Sequence, residues 1–527
     1  MKTSTDLSIF QIKMKILASC ATLTLAVLPN LHAQTERWTL IAAEGGPVPG
    51  IPGATFDEIL NSSVNDSGQI AFGGNVEGGG VLPSNSNGLW FGTAAGVGLA
   101  LRQGQNYIPF TNIGFVNFFD LNNLGQIAVK TDLEGGGPVA ATDEAIFMLN
   151  NGTLTLAVRK GDLVSPGVTY GDFRNNSLRL NDAGRIAFEA SLEDPGDPLE
   201  RGYFTGLPGS LATVARRGTI APGTGGMAFG GFGGSESGQA NAPNNTISLL
   251  ASIGATDGIW RRIGGILSLV ALEGDATPFP GNTFNGFDET SINAAGTIAF
   301  RGTYTDGATF RVGLFQYSQG SITTITRSGA PAPGLAVGIT INSIRRPVIS
   351  PLGRIAFEAR IDGPGVAASN DGVFYVQDGS GAFKPLLREG QPIAPGVQPN
   401  RIVDSFSCNQ HVGYSGKNLL LVRVRFTDGA GASLYLVELG IPETTLRGKA
   451  KRKTRKDRFR IRGNAFDDEA ISLVQYKVGK KNWRRARGTT SWRKKIKLKT
   501  RRTRVFIRAF DTDGNVSTTQ RLVIRKR

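Results

Sequence analysis

The chain has 527 residues, of which 40% are hydrophobic and 19% charged, which excludes a disordered chain and points to more than one domain. Its net charge of +16 is unevenly held: residues 443–527 carry 29 Lys+Arg against 7 Asp+Glu, and the remainder is mildly acidic at −6. The 71 glycines follow no collagen-like period and read as turn positions of an all-β protein.

Lys13 and Lys15 precede an apolar run from Ile16 to Leu28, Pro29 breaks it, and Ala33 offers a small residue before Gln34. That run is too short to span a membrane and has the form of a signal-peptide core, so residues 1–33 are read as an export signal, starting at Met1 or Met14. Leu17-Ala18-Ser19-Cys20 has the form of a lipoprotein box, but almost no apolar stretch precedes it. Signal removal leaves one cysteine, Cys408, and one histidine, His411. An intramolecular disulfide is then excluded, and a His/Cys zinc site or a Ser-His-Asp triad is not expected. No cofactor is expected, and no later stretch reads as a membrane span.

Residues 34–440 are organised by a repeat. One motif reads VNDSGQIAF from Val64, LNNLGQIAV from Leu121, LNDAGRIAF from Leu180, INAAGTIAF from Ile292 and ISPLGRIAF from Ile349. Asparagine bonds back to nearby amides and glycine accepts positive φ, so Asn65, Gly68, Asn122, Gly125, Asn181, Gly184, Asn293, Gly296 and Gly353 are assigned to hairpin turns. Two weaker copies are placed by spacing, at Ala242–Asn245, with Asn245 in the glycine place, and at Ser407–Gln410. The mean period is then 57 residues. Each repeat adds a Gly-apolar-aromatic strand, as in GLWF from Gly88, and a strand ending in a glycine-to-Pro-Gly box, as in REGQPIAPG from Arg388. Four strands per period is the content of a propeller blade. The box also occurs seven times, from Gly45 to Gly390, but its first copy precedes the first hairpin and none follows the last. The expected architecture is a seven-bladed β-propeller whose N-terminal strand completes the last blade, with a solenoid or split arrangement as the alternative.

The motif resembles the NxxGxxAF tandem-repeat family of exported bacterial proteins, over about residues 37–440. The resemblance implies a surface or secreted protein whose C-terminus carries an anchoring or sorting segment, and it brings no catalytic residues. This chain ends instead in RLVIRKR, with no terminal apolar helix.

Residues 441–457 read as a basic linker and residues 458–527 as a small sandwich. The pattern RFRIRGNAFDDEAISLVQYKVG, then SWRKKIKL and TRVFIRAFDTDGNVS, resembles a bacterial immunoglobulin-like or fibronectin-III-like domain. Lys480, Lys481, Arg484, Arg485, Arg493, Lys494 and Lys495 are candidate contacts for a polyanion, an anionic cell-surface or matrix polysaccharide or extracellular DNA, against a plainly solvated basic surface. Trp483 and Trp492 are read as core or edge residues before stacking platforms.

Asn65-Asp66-Ser67-Gly68 is similar to the Asp-box turn of sialidase-like propellers, but the aromatic falls one residue later and the Thr-Trp pair is missing. Asp511–Asn515 reads as an Asp-Gly turn, since a calcium loop would need a downstream glutamate. Asp57, Asp120, Asp172, Asp288 and Asp404 recur ahead of the hairpins and are candidate channel acids, for a cation or for paired-carboxylate hydrolysis. Three readings follow: a secreted or surface non-enzymatic binding scaffold held to anionic polymers by its basic domain, a polysaccharide-active enzyme using channel carboxylates, and a purely structural envelope protein.

Overall fold

The computed structural model describes residues 35–526 apart from 109–110, 136–139, 198–199, 233–237, 240–244, 379, 394–400, 409–413, 448–449, 468–469, 499, 513–515 and 518. The export signal, His411, most of the weak fourth hairpin turn, the Pro-Gly of the seventh box and the tip of the 511–515 turn lie outside the described residues.

Between Thr35 and Ile441 the strands pair into seven antiparallel sheets. Ala54–Val64, Gln69–Gly78, Asn87–Thr93 and Gly96–Arg102 form the first, side by side in chain order. Phe284–Ile292 through Ser321–Arg327 and Thr340–Ile349 through Phe383–Arg388 repeat that order. The last sheet is built from Val403–Cys408, Leu419–Phe426 and Ala432–Ile441, and its fourth strand is Thr35–Ala43, antiparallel to Ala432–Ile441 with Trp38 opposite Val437. First strands of neighbouring sheets lie against one another.

The second strand of each repeat is an unbroken apolar run because both faces of the sheet are covered. Ile70, Ala71 and Phe72 are all buried, as are Ile186, Ala187 and Phe188. The cores accordingly form between sheets. Phe72 and Trp90 of the first sheet share a cluster with Leu421, Leu434 and Leu436 of the last, and Ala128 and Ile146 of the second pack with Phe188 of the third. Trp90, Phe147, Trp260, Phe315 and Phe374, the aromatic of the third strand, are all fully buried.

Two sets of polar contacts tie the sheets together. The first uses the box glycine. Gly45, Gly104, Gly161, Gly218, Gly274, Gly329 and Gly390 all have φ between 74° and 92°, which favours glycine. Each donates its N–H to the next first strand, Gly45 to Phe56 O at 2.7 Å and Gly390 to Val403 O at 2.9 Å. The second runs from hairpin turn to hairpin turn. Asn65 Nδ2 donates to Asn122 O at 2.9 Å and Asn122 Nδ2 to Asn181 O at 3.0 Å, while Asp66 N donates to Asn123 Oδ1 and Asn123 N to Asp182 Oδ1 at 2.8 Å. Gly416 N of the last sheet donates to Asp66 Oδ1 of the first at 2.6 Å, continuing the same pattern. Within each turn the asparagine Oδ1 also accepts from the amides two and four residues on, as Asn65 does from Ser67 and Gln69.

The seventh hairpin turn is therefore not at 407–410. Ser407 and Cys408 lie in the first strand, and the turn is Ser415–Asn418, where Asn418 N donates to Ser415 O and Asn418 takes φ 56°. Serine replaces asparagine there, as at Ser350, and asparagine replaces glycine, as at Asn245. Even spacing misplaced a turn that those two substitutions identify.

Residues 441–457 are not a free linker. Glu443–Leu446 pairs with Arg458–Phe466, and Lys451–Thr454 runs parallel to Gln520–Lys526. They complete two sheets, one of three strands with Ser491–Lys497 and one of five with Arg502–Asp511, Ile471–Val478 and Arg484–Arg485. Both sheets bury their apolar side chains in one core around Trp492, Val505, Ile507 and Ile524. Along Val505–Phe510 the outer face is not purely basic. Phe506 and Phe510 lie half-buried on the same side as Arg508, whose guanidinium sits 4.9 Å from the Phe510 ring.

Candidate functional site

The five candidate channel acids are not brought together. Asp57 and Asp404 are exposed on first strands, Asp172 pairs with Lys160 at 2.6 Å, and Asp288 pairs with Arg301. Among the described residues no three His, Cys, Asp or Glu side chains form a metal-holding group. Asp120 alone is buried, and it has a structural task. Its Oδ1 accepts from Leu121 N and its Oδ2 from Leu180 N of the next sheet, both at 2.7 Å, satisfying amides at the meeting of two first strands.

Burial pushes the Asp120 carboxyl up to about 7, against the opposing pull of Arg179 and of the two amides. An unfolded chain releases this proton near 3.8, whereas the folded chain keeps it to about 7. Between those values the native state binds more protons, so this group's contribution to stability falls as pH rises. The thermal midpoint of Asp120→Asn should therefore be less pH-dependent than that of the parent between about pH 4 and 7. Parallel slopes for the two proteins would contradict this account.

A pattern missed in the sequence is the residue directly after each apolar triplet. Lys130, Glu189, Arg301, Glu358 and Arg423 occupy it, and most reach a first strand. Lys130 Nζ donates to Asn175 Oδ1 of the next sheet at 2.8 Å, Glu358 accepts from Cys408 N at 3.4 Å, and Arg423 donates to Ile59 O across the junction of last and first sheets. Five charges at one repeat position are a legible signal: three of them fasten one sheet to the next, whereas Arg301 pairs with Asp288 of its own sheet and Glu189 with Arg174 and Arg201 of its own repeat.

Among these first strands lies a cavity of about 630 Å³. Arg346, Arg423 and Arg425 line it with one carboxylate, Glu58, whose Oε2 accepts from Asn75 Nδ2 at 3.3 Å. Phe115, Phe118 and Phe406 supply half-buried rings.

The C-terminal sheets hold the more strongly charged feature, a cleft of about 760 Å³ between the strand Ser491–Lys497 of one sheet and Ile471–Val478 and Arg502–Asp511 of the other. Lys477, Lys481 and Arg484 come from one side, Lys494, Lys495 and Lys497 from the facing sheet, and Arg502 and Arg504 from the third strand. No Asp or Glu is among its described lining residues. Tyr476, Val478 and Ile496 give it an apolar floor. Strand alternation explains the concentration, since Thr503 and Val505 turn into the core while Arg502 and Arg504 turn out. Asp457 is the acid facing this charge, and Lys526 first and Lys497 after it hold its carboxyl below the usual range.

Of the sequence candidates, Lys481, Arg484, Lys494 and Lys495 line the cleft. Lys480 and Arg485 are exposed outside it, and Arg493 lines a separate pocket with Arg447, Arg460 and Arg487. Trp492 is buried, its Nε1 donating to Asn464 O at 3.2 Å. Trp483 is half-buried, with Lys477 Nζ at 4.7 Å and Arg508 Cζ at 4.2 Å from its ring centroid.

A protein-family model described only as a family of unknown function matches residues 29–175 and 121–444. None of the curated proteins matches the chain. Among solved structures it is similar to a fungal alcohol oxidase of the AA5 family in complex with copper, at 10% identity over 92% of this chain and 100% of that chain, TM-score 0.37. The polysaccharide lyase Uly1 aligns at 11% identity over 77% and 99%, TM-score 0.36, and an α-L-arabinanase from Penicillium chrysogenum at 11% over 64% and 95%, TM-score 0.30. The fold is all-β, with propeller-like neighbours. No helix among the described residues is long and apolar enough to cross a membrane.

Proposed function

The chain belongs to the family of unknown function DUF7453, and from that premise we propose that it is an exported binding protein that holds anionic glycan chains in the cleft of its basic C-terminal domain. In this reading residues 34–441 are a closed seven-bladed propeller of the NxxGxxAF type, and the C-terminal sheets are an immunoglobulin-like sandwich beginning at Glu443. The seven sheets and the pairing of Thr35–Ala43 with Ala432–Ile441 support the ring. The Lys13/Lys15 apolar segment supports export.

One observation carries the ligand class: eight cations from two facing sheets line one cleft without a carboxylate among them. Such a surface concentrates a polyanion and binds it by charge, in a salt-dependent manner. A glycan suits it better than a single-stranded nucleic acid. Base stacking needs open aromatic faces, and the aromatic side chain that lines the cleft, Tyr476, is buried beneath Lys494 Nζ at 5.2 Å.

The test compares full-length variants on a heparin column. Lys481→Gln/Lys495→Gln/Arg504→Gln should elute at clearly lower salt and lose roughly tenfold or more in affinity at about 0.15 M salt. Arg458→Gln/Arg521→Gln/Arg525→Gln, equal in charge but outside the cleft, should shift far less. Equal shifts would reduce the cleft to a solvated basic surface, and preferential binding of single-stranded DNA would replace the glycan.

A second reading, a polysaccharide-active enzyme, draws on Glu58, a carboxylate facing the arginine-lined cavity. Shortening of an acidic polysaccharide by the parent protein, abolished in Glu58→Gln, would establish it.

A further inference from the structure

We infer that the cavity among the first strands is a second, independent binding site, and that it takes an acidic sugar unit, a hexuronate or a similarly charged saccharide of one or two rings. The argument rests on three features of the cavity and none of the cleft. Its volume of about 630 Å³ falls within the range of small-ligand pockets, about 300–1,000 Å³. That admits a mono- or disaccharide and excludes a folded partner.

Its charge is selective. Arg346, Arg423 and Arg425 face one carboxylate, Glu58, so the lining carries a net positive charge of two. Two of the arginines are held by partners within the fold. Arg423 donates to Ile59 O, and Arg346 Nη1 is paired with Glu358 Oε1 at 3.3 Å while its own N–H donates to Glu289. Arg346 also sits at φ 51°, a left-handed conformation that a β-strand arginine rarely adopts and that follows the register break between Arg345 and Val348. That bulge re-aims the Arg346 side chain. Arg425 is half-exposed, and its one ion pair among the described residues is with Glu44, at 3.9 Å. A guanidinium so loosely held has donors left for a carboxylate, which it can bind through two parallel N–H groups.

The rest of the lining suits a sugar ring. Phe115, Phe118 and Phe406 offer apolar faces for the C–H side of a pyranose, and Asn61, Ser405 and Ser407 offer partners for its hydroxyls. A simple inorganic anion would leave those rings unused, and a neutral sugar would leave the net positive charge of the lining unbalanced.

Titration calorimetry on the full chain, with a galacturonic acid disaccharide and its neutral galactose counterpart, tests the assignment. The acidic disaccharide should bind at least tenfold more tightly. Arg425→Gln should lose about tenfold for the acidic sugar and nothing for the neutral one, with an unchanged thermal midpoint. Glu58→Gln should bind the acidic sugar several-fold more tightly, because it removes the one opposing charge, and misfolding cannot imitate that gain. The Lys481/Lys495/Arg504 cleft variant should bind the disaccharide as the parent does. Equal affinity for the two sugars, no binding of either, no gain in Glu58→Gln, or loss in the cleft variant would overturn the assignment. None of these results depends on whether the cleft holds a polymer.

Discussion

Excision of Thr35–Ala43 should lower the thermal midpoint by about 10 °C or more, and the same nine residues added as a peptide should restore most of it. The strand supplies the fourth position of the last sheet, from Thr35 opposite Ile441 to Ala43 opposite Ser433. Without it the ladder groups of Ala432–Ile441 face water, and each lost hydrogen bond costs about 1 kcal/mol. The packing loss is larger. Trp38 meets Tyr435 edge-on at 5.9 Å, and Ala42 belongs to the core that joins the last sheet to the first. An open sheet edge also invites pairing with a second chain, so the shortened protein should aggregate on heating where the parent does not. Rescue by the peptide separates a missing strand from general damage, since strand addition recovers both ladder and packing. A peptide carrying Trp38→Ala should rescue poorly. An unchanged midpoint in the shortened chain would mean that the last sheet does not need its N-terminal strand.

Trp90→Ala should cost about 3–5 kcal/mol in urea unfolding. Trp90 is fully buried, lies 4.9 Å from Phe56 edge-on and 5.7 Å from Phe72 in a stacked pose. Its Nε1 also donates to Pro49 O at 3.0 Å, tying the Pro-Gly turn of the box to the third strand of the first sheet. Trp260 repeats the arrangement, donating to Pro222 O at 3.0 Å with Phe229 edge-on at 5.0 Å. Trp90→Phe separates the two contributions. It keeps most of the ring contacts, leaves the Pro49 carbonyl without its donor, and should cost only about 1–2 kcal/mol. A cost below about 1 kcal/mol for Trp90→Ala would mean that the turn and the neighbouring core close over the gap.

The parts of this molecule that were legible in its sequence are those in which a local rule repeats. Asn65 through Gly68 must turn because of what asparagine and glycine do to a backbone, and five near-copies left little freedom. Even spacing does not find the turn at Ser415, although both of its substitutions occur elsewhere in the chain, at Ser350 and Asn245. The strands within 441–457 were hidden by their charge: RGKAKRKTRK has little apolar alternation, because Lys451–Thr454 gains its place from pairing with Gln520–Lys526 rather than from burial. The binding features were less legible still. The cleft joins Lys494 to Arg504 and Lys477 across two sheets, and the cavity joins Glu58 to Arg346 and Arg425 across three. No window of sequence contains those juxtapositions. The aspartates failed as a site for the converse reason, since recurrence along the chain did not place them in equivalent surroundings.

The bonds between hairpin turns have a direction. Across four of the turns the amide hydrogen passes the same way, from Gly416 to Asp66, from Asp66 to Asn123 and from Asn123 to Asp182. A head-to-tail contact of this kind carries no information about how many units should follow; it closes when the rotation per unit divides the circle, and otherwise it spirals. A repeat duplicated or deleted whole would therefore find compatible neighbours on both sides, whereas a fragment would not. Such a chain is able to change its length in evolution only in whole units, and the angle between sheets, rather than the chemistry of their junctions, sets which lengths survive.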